Sequence, residues 1–164
     1  MVLSGRHRFC VSGPTEPDTE LEHIPHVTPA RFRVDAERLD RFLDLCPSQI
    51  RWAVEFRDPS WLCDEVYDVL RAHKAALVVH DLVKGHPEVL TTDWTYRRFH
   101  GPGEQKYHGS YSDAMLRLAA RTICTHLRDG RDVYAYFNND SECHAVYNGL
   151  ELKRLVAGED PSKE

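Results

Sequence analysis

The sequence predicts an α/β fold built on a parallel sheet, and three observations predict it. Strand-like stretches recur along the chain with helical patterns between most of them, which is the order of an α/β chain. One stretch, Ala75–Asp81, is almost continuously apolar, as strands covered on both faces are. Each strand-like stretch also finishes in polar residues at its carboxyl end, the end at which parallel α/β folds hold their ligands.

Residues 1–30 carry Gly5, Gly13, Pro14, Pro17, Pro25 and Pro29 without a sustained apolar period, and so read as an irregular or disordered leader. From Asp35, a plausible N-cap, Leu39, Phe42 and Leu43 fall on one helical face until Pro47 ends the run. Trp52–Arg57 reads as a strand, with Glu55 and Arg57 on one face and Val54 and Phe56 on the other. Ser60 is placed to cap a following helix whose stripe is Leu62, Val66, Val69 and Leu70. Ala75–Asp81 is the next strand. Leu82–Trp94 holds Gly85 and Pro87 with little helical pattern, so it reads as a loop crossover.

Thr92–Gly103 is the centre of the chain: β-formers running into the breaker Gly101-Pro102-Gly103. Alternation puts Tyr96, Arg98 and His100 on one face and Thr95, Arg97 and Phe99 on the other. Ser112 then caps a helix presenting Met115, Leu116, Ala119, Ile123 and Leu127 to a core, and Gly130 stops it. Val133–Asp140 is the fourth strand. Asp140 or Ser141 caps a last helix with Ala145, Leu150 and Leu155, closed by Gly158 before a charged tail, residues 159–164.

Composition narrows the class. The chain has 164 residues, 41% hydrophobic and 29% charged, which suits one soluble globular unit. A net charge of −5 argues against nucleic-acid binding through general basicity. There is no membrane-length apolar run and no signal-peptide core, so a cytoplasmic protein is expected, with no membrane partner. The five scattered cysteines then read as reduced thiols rather than a disulfide framework. Cys124 and His126 diverge on a helix and no Cys-x-x-Cys pair occurs, so no metal site is assigned and any cofactor is unknown.

Several uncommon motifs occur together in order: Glu55-Phe56-Arg57 with Pro59-Ser60-Trp61, Tyr96-x-Arg98-x-His100-Gly101, Tyr107-x-Gly109-x-Tyr111, and Tyr136-Phe137-Asn138-Asn139-Asp140. In this the chain resembles the YecE-like family, a domain of unknown function (DUF72), from about Phe32 to Gly158. The resemblance implies part of an eight-stranded TIM barrel, its carboxyl-terminal half to two-thirds, occupying residues 31–158. Asp58 stands where the family usually has histidine, and Cys143 where glycine is common. A full barrel takes about 250 residues, so a truncated barrel is expected, and a leader read from a wrong start or a shifted frame is one account of it. Strands Ala53–Phe56 and Val133–Phe137 then expose unpaired edges, and the chain is expected to self-associate, aggregate or stay partly unfolded.

The candidate site follows from side-chain parity. Glu55, Arg57, Tyr96, Arg98, His100, Tyr134, Tyr136 and Asn138 share the inner face, with Glu55 expected between Arg57 and Arg98. Arg57 and Arg98 beside Gly101 suit a small anionic ligand, because arginine takes phosphate or carboxylate through paired hydrogen bonds. His100 is the candidate general acid or base, with Glu55 or Asp81 orienting it or sharing protons. Tyr96, Tyr136, Asn138 and Asn139 complete the substrate-contacting set, the two asparagines toward a sugar or amide. A structural Arg57–Glu55–Arg98 ion network competes with this reading. Asp81 with His100 suits a divalent metal but lacks a visible third ligand. An enzyme acting on a small anionic or sugar-like substrate, a non-catalytic ligand- or partner-binding module, and an inactive remnant all stay open.

Overall fold

Asp35 begins the first well-formed helix because its carboxylate accepts the Arg38 backbone N–H at 2.9 Å, satisfying one of the amides a helix start leaves open. The computed structural model describes residues 9–12, 23–29, 31–103 and 105–158. The chain divides into two compact units, Asp18–Tyr96 and Met1–Pro17 with Arg97–Glu164.

In the first unit, β2 (His23–Val27) pairs in parallel with β3 (Arg51–Glu55), and β3 pairs in parallel with β4 (Ala76–His80). Helices α1 (Ala36–Asp44) and α2 (Asp64–Ala72) cover one face. Leu39, Leu43, Val66 and Leu70 pack there on Val54, Phe56 and Leu77. Phe56 stacks on Trp61 at 4.7 Å between ring centres, and Phe32 stacks on the same indole at 5.7 Å. Each fully buried side chain such as Phe56 or Leu70 contributes about 1.5–3 kcal/mol. All five residues of β4 are buried, as its continuous apolar run requires. Thr91, on the helix-free connection after β4, closes that strand's start: its hydroxyl accepts from Leu77 N–H at 2.9 Å and donates to the Ala75 carbonyl at 2.7 Å.

In the second unit, β1 (Phe9–Ser12) pairs in parallel with β6 (Asp132–Phe137). β5 (Trp94–Phe99) crosses the boundary between the units, and in this unit its end meets β6 where Asn138 N–H donates to the Phe99 carbonyl at 2.7 Å. Helices α3 (Asp113–Arg128) and α4 (His144–Gly158) bury Leu116, Ala120, Ile123, Leu152 and Val156 against Val133, Ala135, Phe137 and Phe99. Ser112 caps α3 and Gly130, at φ +82°, ends it. Among the described residues no helix is long and apolar enough to cross a membrane.

Several sequence expectations are corrected. The stretch 1–30 contains β1 and β2; its remaining residues, apart from 28 and 29, lie outside the described ones, as does the tail 159–164. Proline signalled a loop at position 25, but an edge strand tolerates the missing N–H, and β2 is the outermost strand beside β3. Consequently the outer sides of β3 and β6 are paired, and the open edges expected there are not found. Ser60 does not cap a helix. Asp58 caps a separate 3-10 turn, Pro59–Trp61, by accepting from Ser60 N–H at 3.0 Å, while the Ser60 hydroxyl accepts from Val34 N–H. Asp140 precedes a second such turn, Ser141–Cys143, without a side-chain capping bond among the described residues. Met115 and Leu150, assigned to the core, are 43% and 60% exposed.

Candidate functional site

In both units alternate residues of each strand face the helices, which leaves the opposite face to a different set. In the first unit that set includes Glu55 and His80. Glu55 closes β3, is fully buried, and accepts from Arg57 Nε at 3.0 Å. Thr28 braces this turn, donating its N–H to the Glu55 carbonyl at 2.9 Å while its hydroxyl accepts from Arg57 N–H at 3.3 Å. The pair anticipated between Glu55 and Arg57 is therefore present, and its carboxylate is desolvated. His80, which sequence reasoning passed over, ends β4 with both ring nitrogens engaged. Nδ1 accepts from Leu82 N–H at 3.2 Å, so Nε2 carries the proton and donates to the Phe56 carbonyl at 2.9 Å. That neutral tautomer ties the end of β4 to the turn after β3. Asp81 follows it on the exposed side, and Tyr96 is buried.

A cleft of about 790 Å³ opens elsewhere in this unit, beside the amino end of β3, among Asp44, Arg51, Trp52, His73, Lys74 and Asp93. It belongs to the strand ends whose role in barrels is stability. His73 there joins the end of α2 to α1 through Asp40 at 2.7 Å, and Arg51 lies over the Trp94 ring.

In the second unit the structure brings Arg98 and Asn138 together. Both are half-buried, one residue short of the end of β5 and one past the end of β6, and Arg98 Nε donates to Asn138 Oδ1 at 2.9 Å. Fixing Nε sets the plane of the guanidinium, the group best suited to a phosphate or carboxylate. Tyr136 shares that face and is half-buried; Tyr134 is buried. His100 leaves β5 fully buried, with the Tyr107 ring edge-on at 5.4 Å between centres. Gly101, at φ +112°, passes beneath the backbone of His108, and its N–H donates to the Tyr111 hydroxyl at 2.7 Å. Position 101 admits no side chain.

Asn139 does not join Asn138. As the next residue it turns to the opposite side, fully buried, where its Nδ2 donates to the Gly109 carbonyl and to Asn148 Oδ1, both at 2.8 Å. Asn148 on α4 accepts from Tyr111 N–H at 3.1 Å and donates to the Ser110 hydroxyl at 3.1 Å. Asn139 is thus a fastening of the loop after β5; its Oδ1 has no hydrogen-bond partner among the described residues. Asn148 carried no sequence signal, since a lone asparagine inside a helical pattern gives none. Among the described residues no group of three or more His, Cys, Asp or Glu side chains is arranged to hold a metal.

Residues 19–164 match the family DUF72, a protein of unknown function. Among solved structures, the chain is similar to a DUF72 family protein from Thermotoga maritima MSB8, with 29% identity and a TM-score of 0.73, over 82% of this chain and 57% of that one. It is also similar to a DUF72 family protein from Enterococcus faecalis V583 in two crystal structures, each with 16% identity and 82% of this chain covered. The TM-scores are 0.70 and 0.67, over 58% and 61% of those chains. At that identity the likeness concerns the fold alone: α/β, with parallel strands alternating with helices as in a TIM barrel. The chain spans less than two thirds of the length of each of these structures. No curated protein matches it.

Proposed function

We propose, from the premise that this chain belongs to the DUF72 family of proteins of unknown function, that its second unit binds a small anion at the carboxyl ends of β5 and β6. One observation carries the reading: a half-buried guanidinium, Arg98, is held through Nε by Asn138 on the face opposite the helices. Ligands of parallel α/β folds collect beyond those strand ends. Arginine so placed suits a phosphate or a carboxylate, on its own or as part of a sugar-like metabolite. His100 stands two residues along the chain from Arg98 and is the acid–base group if the anion is a substrate. Its complete burial favours a second reading, a module that binds without turnover.

Calorimetric titration of the whole chain with inorganic phosphate tests the first claim. Hydrogen bonds to charged groups are worth about 1.5–3 kcal/mol, so Arg98→Ala should weaken binding by roughly ten- to 150-fold, with Arg98→Lys in between. Absence of binding by the unsubstituted chain, or equal binding by Arg98→Ala, overturns it. Turnover of a phosphorylated or carboxylated metabolite that His100→Ala abolishes supports the enzyme; binding without turnover supports the module.

A further inference from the structure

We propose that Tyr107 is the gate of this site: its ring covers His100 in the state described, and a rotation of the chain about Gly109 uncovers the imidazole. The role given to His100 rests on the reading above, whereas the covering itself does not. His100 is fully buried, and the ring of Tyr107, a residue 37% exposed, packs edge-on against it at 5.4 Å and 79°. Tyr107 therefore reaches from His100 to solvent. The residue is bound at its backbone too, donating its N–H to the His100 carbonyl at 2.6 Å.

The turn that carries Tyr107 differs from its surroundings in how it is held. From Gly109 onward the chain is fastened to the buried pair Asn139 and Asn148 through the Gly109 carbonyl, the Ser110 hydroxyl and the Tyr111 N–H. Before Gly109, among the described residues, Tyr107 and His108 rest on one backbone hydrogen bond, one ring contact and the space left by Gly101. Tyr107 sits at φ +66°, a conformation that a bulky residue adopts at a cost, so strain opposes the closed arrangement. Gly109, at φ +83°, divides the fastened part from the strained part and is the residue best able to absorb a change of backbone angle. Weak holding on one side of a glycine and strong holding on the other makes a hinge.

Carbethoxylation of the whole chain with diethyl pyrocarbonate, mapped by mass spectrometry, reads the exposure of each histidine separately. His80, buried with both nitrogens bonded, and His144, half-buried on α4, are the internal references. Tyr107→Ala should raise the rate at His100 by about tenfold or more, because reactivity follows the population of the uncovered state. The two references should not change, and Tyr107→Phe, which keeps the ring, should restore the slow rate. An unchanged His100 rate in Tyr107→Ala overturns the gate, and so does a parallel rise at His80, which marks general loosening. Phosphate calorimetry on the same variants keeps the two proposals apart: a chain that fails to bind phosphate loses the anion reading while the labelling result stands.

Discussion

A methyl group added at Gly101 overlaps the carbonyl oxygen of His108 and lies 3.1 Å from its nitrogen and 3.3 Å from its carbonyl carbon, all of them backbone atoms. The backbone there is at φ +112°, outside even the left-handed helical region that other residues visit. Holding alanine at such an angle costs about 1–3 kcal/mol. Relieving the overlap moves His108 outward and takes Tyr107 with it, at the expense of a backbone hydrogen bond and a ring contact worth roughly 0.5–1.5 kcal/mol each. Alanine's smaller unfolded-state entropy returns about 0.5–1 kcal/mol. Gly101→Ala should therefore destabilise the fold by about 1–5 kcal/mol in urea unfolding, the balance of those terms. Two other glycines separate the contributions. Gly103 has only Gln105 nitrogen near, at 4.0 Å, so Gly103→Ala should be neutral to about 0.5 kcal/mol. Gly85 is at φ +72° in open space, so Gly85→Ala should lose only the left-handed cost of about 1 kcal/mol. Amide exchange supplies the second readout, since the Tyr107 N–H should exchange faster in Gly101→Ala while those of β6 do not. If Gly101→Ala matches Gly103→Ala in stability and leaves the Tyr107 amide protected, the packing of His108 over Gly101 is wrong.

Further substitutions test the rest of the description. Asn148→Ala removes the acceptor for two backbone and side-chain donors and should cost about 2–4 kcal/mol, with Asn148→Asp losing less because it keeps the acceptor oxygen. Cys143 is at φ +62°, so Cys143→Gly should stabilise by about 0.5–1 kcal/mol in urea unfolding; destabilisation argues against that backbone. Arg57→Ala removes one ion-pair partner from the fully buried Glu55 carboxylate and should cost about 3 kcal/mol, partly regained in the double variant with Glu55→Gln; no recovery sinks the pair's importance. The Asp58 carboxyl is held below its ordinary value of 3.8, chiefly by the Ser60 hydrogen bonds. A lowered folded value means the contribution is complete above 3.8 and fades as the pH falls through the lower folded value, so Asp58→Asn should flatten the urea midpoint only on that acid side.

What the sequence showed and what it hid divide along physical lines. Asp35, Ser112 and Gly130 were legible because capping depends on neighbours within one turn of helix. β4 was legible because the five apolar residues Ala75–Val79 in a row suit a strand covered on both sides. Met115 and Leu150 misled for the opposite reason, since apolar character alone does not place a residue on the inner stripe. Leu150 and the fully buried Leu152 are about 200° apart around α4, so both cannot face the sheet. β1 and β2 were hidden because short edge strands need little apolar pattern and admit the prolines that read as loop. At position 143, where the resemblance leads one to expect glycine, the backbone is left-handed, at φ +62°. Asn148 was illegible altogether, because its partners Tyr111, Ser110 and Asn139 are brought to it only by the tertiary fold.

Asn138 and Asn139 show how far residue type falls short of role. Both were assigned to ligand contact as a pair of amides at the end of a strand. Parity separates them: Asn138 turns to the face of Arg98, and Asn139 turns away to hold the Gly109 carbonyl. Because they are consecutive and the Asn138 N–H is anchored on the Phe99 carbonyl, one short piece of backbone supports both the guanidinium and the fastened side of the turn beneath Tyr107. Displacing it disturbs both at once. The loop after β5 and the proposed anion site are therefore mechanically joined through the end of β6. Substituting Asn139 should be felt first at the turn, and substituting Asn138 first at Arg98.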